Sequence, residues 1–280
     1  MIESKAGRPV KITITYVALF VIACVSLFPI SWMIDSSFKG ANELFTNPPT
    51  FAIARFSFVN YAKILFDSQV PRTYLNSIVI SFCATLFTLF CAILAGYGLS
   101  RYKFRGSNTL AIALLYGQMM PACVIIIPLY LAFSRIGLID TYLSLILPDM
   151  AITIPLATLM LRAFFNSVPR ELEQAARIDG CNAIQSLVRI VLPISSSGLV
   201  AVGVYTFLTT WEEFLFALNL TDSISARTVP IAINMLRGEY YVDWGAIMAA
   251  GVLVALPTIL IFLLCNKYFI KGLAEGSVKG

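Results

Sequence analysis

Long apolar runs alternate with short polar segments along the whole chain. Six runs stand out, at about 12–34, 74–100, 109–134, 142–161, 190–220 and 244–266. Only Asp149, Glu212 and Glu213 place a charge inside them. About 20 apolar residues suffice to cross the hydrocarbon core as a helix. Each run therefore predicts one membrane span, and the chain reads as an all-α integral membrane protein with six transmembrane helices, one domain over residues 1–280. The run at 109–134 contains Pro121 and Pro128 and predicts a kinked helix whose freed carbonyls face protein or a water-lined path. Asn76-Ser77 and Gly96-Tyr97-Gly98 supply small or polar positions suited to helix contacts.

The first run is read as a retained helix. A secretory signal needs a shorter apolar core and a small-residue cleavage site, and the run continues well past the lipoprotein-like Val21-Ile22-Ala23-Cys24. Two longer polar loops are expected, over 35–73 and 221–243. In the first, Phe56, Phe58 and Tyr61 suggest a segment lying at the interface.

Between the fourth and fifth runs lies an amphipathic insert at about 165–189. Ser167 reads as its N-cap, Pro169 falls in its first turn, and Glu171 and Glu173 lie near the positive end of the dipole. Gly180 reads as the C′ stop. Leu172, Ala175, Ala176 and Asp179 share one face, small at its centre. A second short helix, with Ile184, Leu187, Val188 and Val191 on one stripe, leads to Leu192-Pro193. The pattern fits a docking element, and it equally fits a helix lying on lipid.

Composition narrows the chemistry. The chain is 59% hydrophobic and 12% charged, against roughly a quarter charged in soluble domains. A net charge of +5 spread over short loops is no nucleic-acid footprint. There is no histidine, so the commonest general base and metal ligand is absent. The six cysteines include no C-x-x-C pair and are read as small core residues rather than disulfide or zinc partners. No phosphate-binding G-x-x-x-x-G-K-[ST] loop, nucleophile elbow or H-E-x-x-H helix occurs. The expectation is no catalytic residue, no metal and no cofactor on this chain, with any ATP and Mg held by a partner.

Basic residues choose the orientation. With both termini inside, cytoplasmic segments hold Lys5, Arg8, Lys11, Arg101, Lys103, Arg105, Arg162, Arg170, Arg177, Arg189, Lys267, Lys271 and Lys279, which is 13 of the 20 Lys and Arg. The remainder lie mostly in the two longer loops, which count less. This places the 165–189 insert in the cytoplasm.

The insert resembles the cytoplasmic coupling loop of ABC importer permeases, written E-A-A, three residues, G, then I-x-L-P. Here it reads Gln174-Ala175-Ala176, Gly180 and Leu192-Pro193, with Gln174 in place of the usual glutamate, Glu173 one position earlier, and Ser197 where a second proline is common. Ser37-Phe38-Lys39, Ala95-Gly96-Tyr97 with Arg101, Phe104-Arg105-Gly106, Met120-Pro121, Pro128-Leu129-Tyr130, Trp211-x-Glu213-Phe214 and Gly272-Leu273 resemble, in the same order, the maltose-type carbohydrate permeases on their smaller-subunit side.

The resemblance implies a type I ABC importer transmembrane domain of a bacterial or archaeal cytoplasmic membrane. It implies as partners a second permease subunit, two ABC ATPase subunits and an extracytoplasmic sugar-binding protein, with no nucleic acid. Arg170, Glu171, Leu172, Glu173, Gln174, Ala175, Ala176, Arg177, Asp179, Gly180, Leu192 and Pro193 become the ATPase-coupling set. Asn76, Gln118, Asp149, Trp211, Glu212, Glu213 and Asn219 are the expected substrate-path set, Trp211 offering a flat face for a sugar ring or, equally, an interfacial anchor. Glu212 replaces the family's asparagine, and a carboxylate there disfavours anionic substrates. The competing readings are an ion-coupled secondary transporter and an ABC permease for a non-sugar solute. No internal repeat argues for the inverted halves of the former.

Overall fold

The computed structural model describes residues 7–51, 56–66, 69–238 and 242–277, with side chains described between 12 and 266. Lys5 and Lys279, and the side chains of Arg8, Lys11, Lys267 and Lys271, lie outside the described residues. The described residues form helices joined by turns and irregular segments, with one isolated bridge, Arg237–Val242, and no strand among them. Four helices are long and apolar enough to cross a membrane, and two sharply bent pairs raise the count to six if each is one span. The chain divides into two compact units.

The first unit holds the residues up to 68 and those from 235 to 255. Its helix α1 (Gly7–Ser37) shows an exposed apolar surface from Ile12 to Ile30, as a lipid-facing rod does. The polar loop expected after it is instead folded. Asp35, Ser36, Ser37 and Lys39 are buried, and the Lys39 ammonium pairs with the Asp35 carboxylate and donates to the Thr50 carbonyl. After the short α2 (Ala41–Leu44), α3 (Val59–Phe66) presents Asn60, which donates to the carbonyls of Ser37 and Lys39 at 3.0 and 2.9 Å. The rings of Phe56, Phe58 and Tyr61 gather round Phe38 with centroids 5.0–5.7 Å away. Buried charges survive here because each is paired or hydrogen-bonded.

The second unit holds residues 69–234 and those from 256 on. Its spine is α4 (Val70–Arg101) against α7 (Tyr142–Ser167), joined by α11 (Ser196–Trp211). Tyr142 donates to Asn76 at 2.6 Å, Thr88 meets Thr153 at 2.9 Å, and Ser100 donates to Asn166 at 2.7 Å. The residue numbers rise together, so α4 and α7 run parallel. Two apolar clusters fill the spine. One gathers Ile80, Phe133, Leu145, Phe216 and Leu220. The other gathers Tyr97, Leu161, Phe165, Leu187, Val191 and Val202.

Two expected spans are broken more sharply than the sequence pattern suggests. The 109–134 run becomes α5 (Ser107–Gln118) and α6 (Ala122–Arg135), bent by 91°. Pro121 sits at the break and disfavours a helical Met120, whereas Pro128 lies inside α6. The 190–220 run is not one helix either. The insert's second helix comprises α9 (Ala183–Ser186), a π-helical turn Leu187–Val191 and α10 (Leu192–Ile194), and it meets α11 at 83°. After Trp211 the helix stops and α12 (Leu215–Leu220) begins. The expected 221–243 loop contains α13 (Val229–Met235), and α14 (Trp244–Ser277) completes the chain. The six cysteines are free and none is buried, which corrects their reading as core residues.

Candidate functional site

The insert forms α8 (Arg170–Ile178), a glycine corner and the α9 helix. Ser167 is not its N-cap. It ends α7, its hydroxyl donates to the Phe164 carbonyl at 2.7 Å, and Pro169 occupies the cap without a side-chain bond. The other end is as expected. Gly180 stands at C′ with φ +87°, its N–H reaches the Arg177 carbonyl at 3.1 Å, and the Cys181 N–H reaches Ala176 at 2.9 Å. These two bonds are a Schellman stop, and its left-handed residue selects glycine. Asn182 and Gln185 then exchange side-chain and backbone bonds of 2.8 Å each, a reciprocal cap opening α9.

The faces of α8 divide differently from the sequence pattern. Leu172, Ala175 and Asp179 are exposed, and Ile178 is 87% exposed, while Ala176 turns inward beside Glu173. The stripe on the following helix also splits. Leu187 and Val191, four residues apart, are buried, and Ile184 and Val188, also four apart, face outward. The apolar side chains of Leu172 and Ile178 on one arm of the corner, and of Ile184 and Val188 on the other, are thus exposed, as are Glu171, Gln174 and Arg177.

Glu173 does not belong to that outward set. Only 4% exposed, it forms an ion pair with Arg101 at the end of α4 and accepts the Tyr97 hydroxyl at 2.7 Å. Arg101 also donates to the Val168 carbonyl at 3.2 Å, and Arg170 donates to the Ser100 carbonyl at 3.0 Å. Sequence reasoning gave Tyr97 and Arg101 no site role. Their signal is a phenol and a guanidinium four residues apart at the end of an apolar run, hence on one helix face.

The expected path residues separate into two groups. Asn76 is fully buried, donates to the Ile224 and Arg227 carbonyls at 2.9 Å each, and pins the 224–227 segment rather than lining an opening. Trp211 is 1% exposed, stacked on Phe207 and met edge-on by Tyr74 with centroids 5.8 and 5.5 Å away, so it offers no free face to a sugar and no interfacial anchor. The Glu213 carboxylate accepts from the Phe216 and Ala217 N–H groups at 2.7 and 3.0 Å and caps α12. Asp149 is buried in α7 rather than at an interface. Gln118, half-buried at the elbow of α5, donates to the Tyr205 hydroxyl at 3.4 Å. Glu212 and Asn219 are exposed, the latter bonded to its own helix at Leu215. The structure does not bring the seven together into one site.

A family model for the binding-protein-dependent transport system inner membrane component matches residues 88–275, which takes in α8, its corner and the spine of the second unit. The chain belongs to that family. It is therefore a multi-pass membrane component of a transport system, not an enzyme. The permease is 35% identical to the probable ABC transporter permease protein YurM of Bacillus subtilis over 96% of this chain and 89% of that one. It is 34% identical to the trehalose/maltose transport system permease protein MalG of Thermococcus litoralis over 94% of this chain and 95% of that one. Among solved structures, a bacterial ABC transporter involved in import of the acidic polysaccharide alginate superposes with a TM-score of 0.80. The overlap covers 96% of this chain and 99% of that one at 21% identity, which establishes the fold of an ABC importer transmembrane domain.

Proposed function

We propose that this permease is one half of the translocation path of an ATP-driven sugar importer and couples to an ATPase subunit through the outward face of α8. The observation that carries the coupling part is the exposure of four large apolar side chains, Leu172, Ile178, Ile184 and Val188, on the two arms that meet at the Gly180 stop. Large apolar side chains left exposed beside charged ones on a cytoplasmic insert are what a docking partner covers. The sugar part draws support from the trehalose/maltose relative, aligned along nearly the whole chain.

In this reading both termini are cytoplasmic, as the basic residues indicate. The partners are a second permease subunit, two ATPase subunits that hold ATP and Mg, and an extracytoplasmic sugar-binding protein. Closure of the ATPase pair shifts α8, and the membrane helices follow as near-rigid bodies between inward and outward access. Leu192 and Pro193 serve as the entry of the membrane helix, and the path polarity falls to the exposed Glu212 and Asn219 and to Gln118. Membership of a binding-protein-dependent family sets the ion-coupled alternative aside.

Affinity purification of the tagged protein in mild detergent, followed by mass spectrometry, tests the assembly. A second permease and an ATPase are expected, the ATPase being lost when Leu172 and Ile178 become Asp. Uptake of labelled oligosaccharide by the reconstituted complex, with unlabelled sugars and amino acids as competitors, tests the substrate class. Competition by amino acids alone would move the reading to a non-sugar solute.

A further inference from the structure

Three segments meet at the Arg101 guanidinium. Nε donates to Glu173 in α8, Nη1 donates to Ser100 Oγ at 2.9 Å in α4, and Nη2 donates to the Val168 carbonyl at 3.2 Å in the α7–α8 turn. The second Glu173 oxygen takes the Tyr97 hydroxyl at 2.7 Å. Ser100 Oγ hands its own proton to Asn166 Oδ1 at 2.7 Å, and Arg170 returns from α8 to the Ser100 carbonyl at 3.0 Å. The Arg101 and Glu173 side chains are 6% and 5% exposed. Greasy contacts between helices can slide. A buried, charge-assisted lattice with every member bonded holds one register only.

The opposite junction of α8 is built differently. Gly180 has φ +87°, and a Cβ there would meet nothing within 4 Å. The cap that follows, Asn182 with Gln185, closes on itself and reaches no residue of α8. The downstream arm is held by other means: the Tyr97 hydroxyl lies 3.4 Å from the Ala183 carbonyl, and Leu187 and Val191 are buried in the apolar cluster with Phe165.

We propose that Arg101 and Glu173 are positioning residues that weld α8 to the α4–α7 pair, so that displacement of α8 is delivered to those two helices. The inference rests on the coupling reading above. It also separates two neighbouring acidic-motif positions. Gln174 faces outward and neutral, while the charge one residue earlier is spent inside the subunit.

The test uses the complete reconstituted transporter with Arg101→Ala, Glu173→Ala and Glu173→Gln. ATPase recovery, ATP hydrolysis and sugar uptake are measured on the same preparations, together with hydrogen exchange of the Arg170–Ile178 amides. Removing one member of a buried pair leaves the other unpaired. The alanine variants are therefore expected to keep the ATPase and to hydrolyse ATP within about threefold of wild type. Uptake per ATP falls about tenfold and the α8 amides exchange about tenfold faster. Glu173→Gln keeps one acceptor oxygen in place of two, loses the charge and lands between. Wild-type uptake per ATP and wild-type exchange in Glu173→Ala would overturn the weld. If the alanine variants do not assemble, unchanged coupling and exchange in Glu173→Gln overturns it equally. Failure of the wild-type chain to recover any ATPase strikes the coupling reading instead, and the exchange comparison on the isolated chain still decides the weld.

Discussion

A Cβ on Gly96 would lie 3.0 Å from the Thr158 carbonyl oxygen. The Arg162 amide nitrogen would be 3.2 Å away, so α4 and α7 approach backbone to backbone at this level. Gly98, two residues on, has open space around it. Gly96→Val is expected to wedge the pair apart and cost about 1–3 kcal/mol. Gly98→Ala is expected to be neutral or stabilising by about 0.4–1 kcal/mol. Thermal unfolding of the two variants in one detergent checks the contrast.

Gly180 faces a conformational limit rather than a steric one. At φ +87° a β-branched side chain is strained whatever the space around it, at a cost of about 1–2 kcal/mol. Gly180→Val is expected to hydrolyse ATP without matching uptake, whereas Gly180→Asn, which tolerates the left-handed region, stays coupled. Parallel assays of phosphate release and uptake read this directly.

Asp140 ties two turns together. At φ +62° it accepts from the Asp222 and Ser223 N–H groups at 3.0 and 2.9 Å. Burial pushes its carboxyl up, but the Ser223 and Asp222 hydrogen bonds and the Arg227 charge outweigh this and hold it below the usual range. A carboxyl whose folded pKa is depressed stabilises the fold above its unfolded pKa, near 3.9, and that contribution is lost as pH falls through the lower folded value. Amide exchange at Asp222 and Ser223 is expected to be protected at neutral pH and to lose protection only in strongly acidic buffer. Asp140→Asn, which keeps the backbone conformation, should show weak protection at every pH.

Glu212 and Glu213 are neighbours with different tasks. Glu213→Ala removes both acceptors at the start of α12 and is expected to cost about 1 kcal/mol. Glu212→Gln leaves thermal stability unchanged, since the side chain is exposed. Any change it makes in the uptake of neutral against anionic sugars then reports on the path alone.

Four long apolar helices and the Gly180 stop were legible because each follows from one local rule, a run of apolar residues or a residue suited to positive φ. The burial of Glu173 and Trp211 was not. Nothing in the spacing of Arg170 to Gly180 tells which side of α8 meets its own subunit, since Glu173 finds Arg101, 72 residues earlier in the chain. Trp211 looked like a ring platform because aromatics at the end of an apolar run often are. Only its burial against Tyr74 and Phe207 shows that the ring is already enclosed. The elbows at Pro121 and Ser195 were half visible: proline marked the places, and packing set the angles.

The elbow between α5 and α6 has a consequence for how the protein matures. At 1.5 Å per residue, helices of 12 and 14 residues reach about 18 and 21 Å, short of a hydrocarbon core about 30 Å thick. Bent by 91°, only one of them can stand along the bilayer normal. The Met119 and Met120 N–H groups close back on the Tyr116 and Gly117 carbonyls at 3.1 and 3.4 Å, and the Pro121 carbonyl takes the Val124 N–H at 3.0 Å, so the elbow meets its hydrogen-bonding needs within its own backbone. A turn that closes its own backbone bonds can enter the bilayer together with its two helices, before any partner covers it.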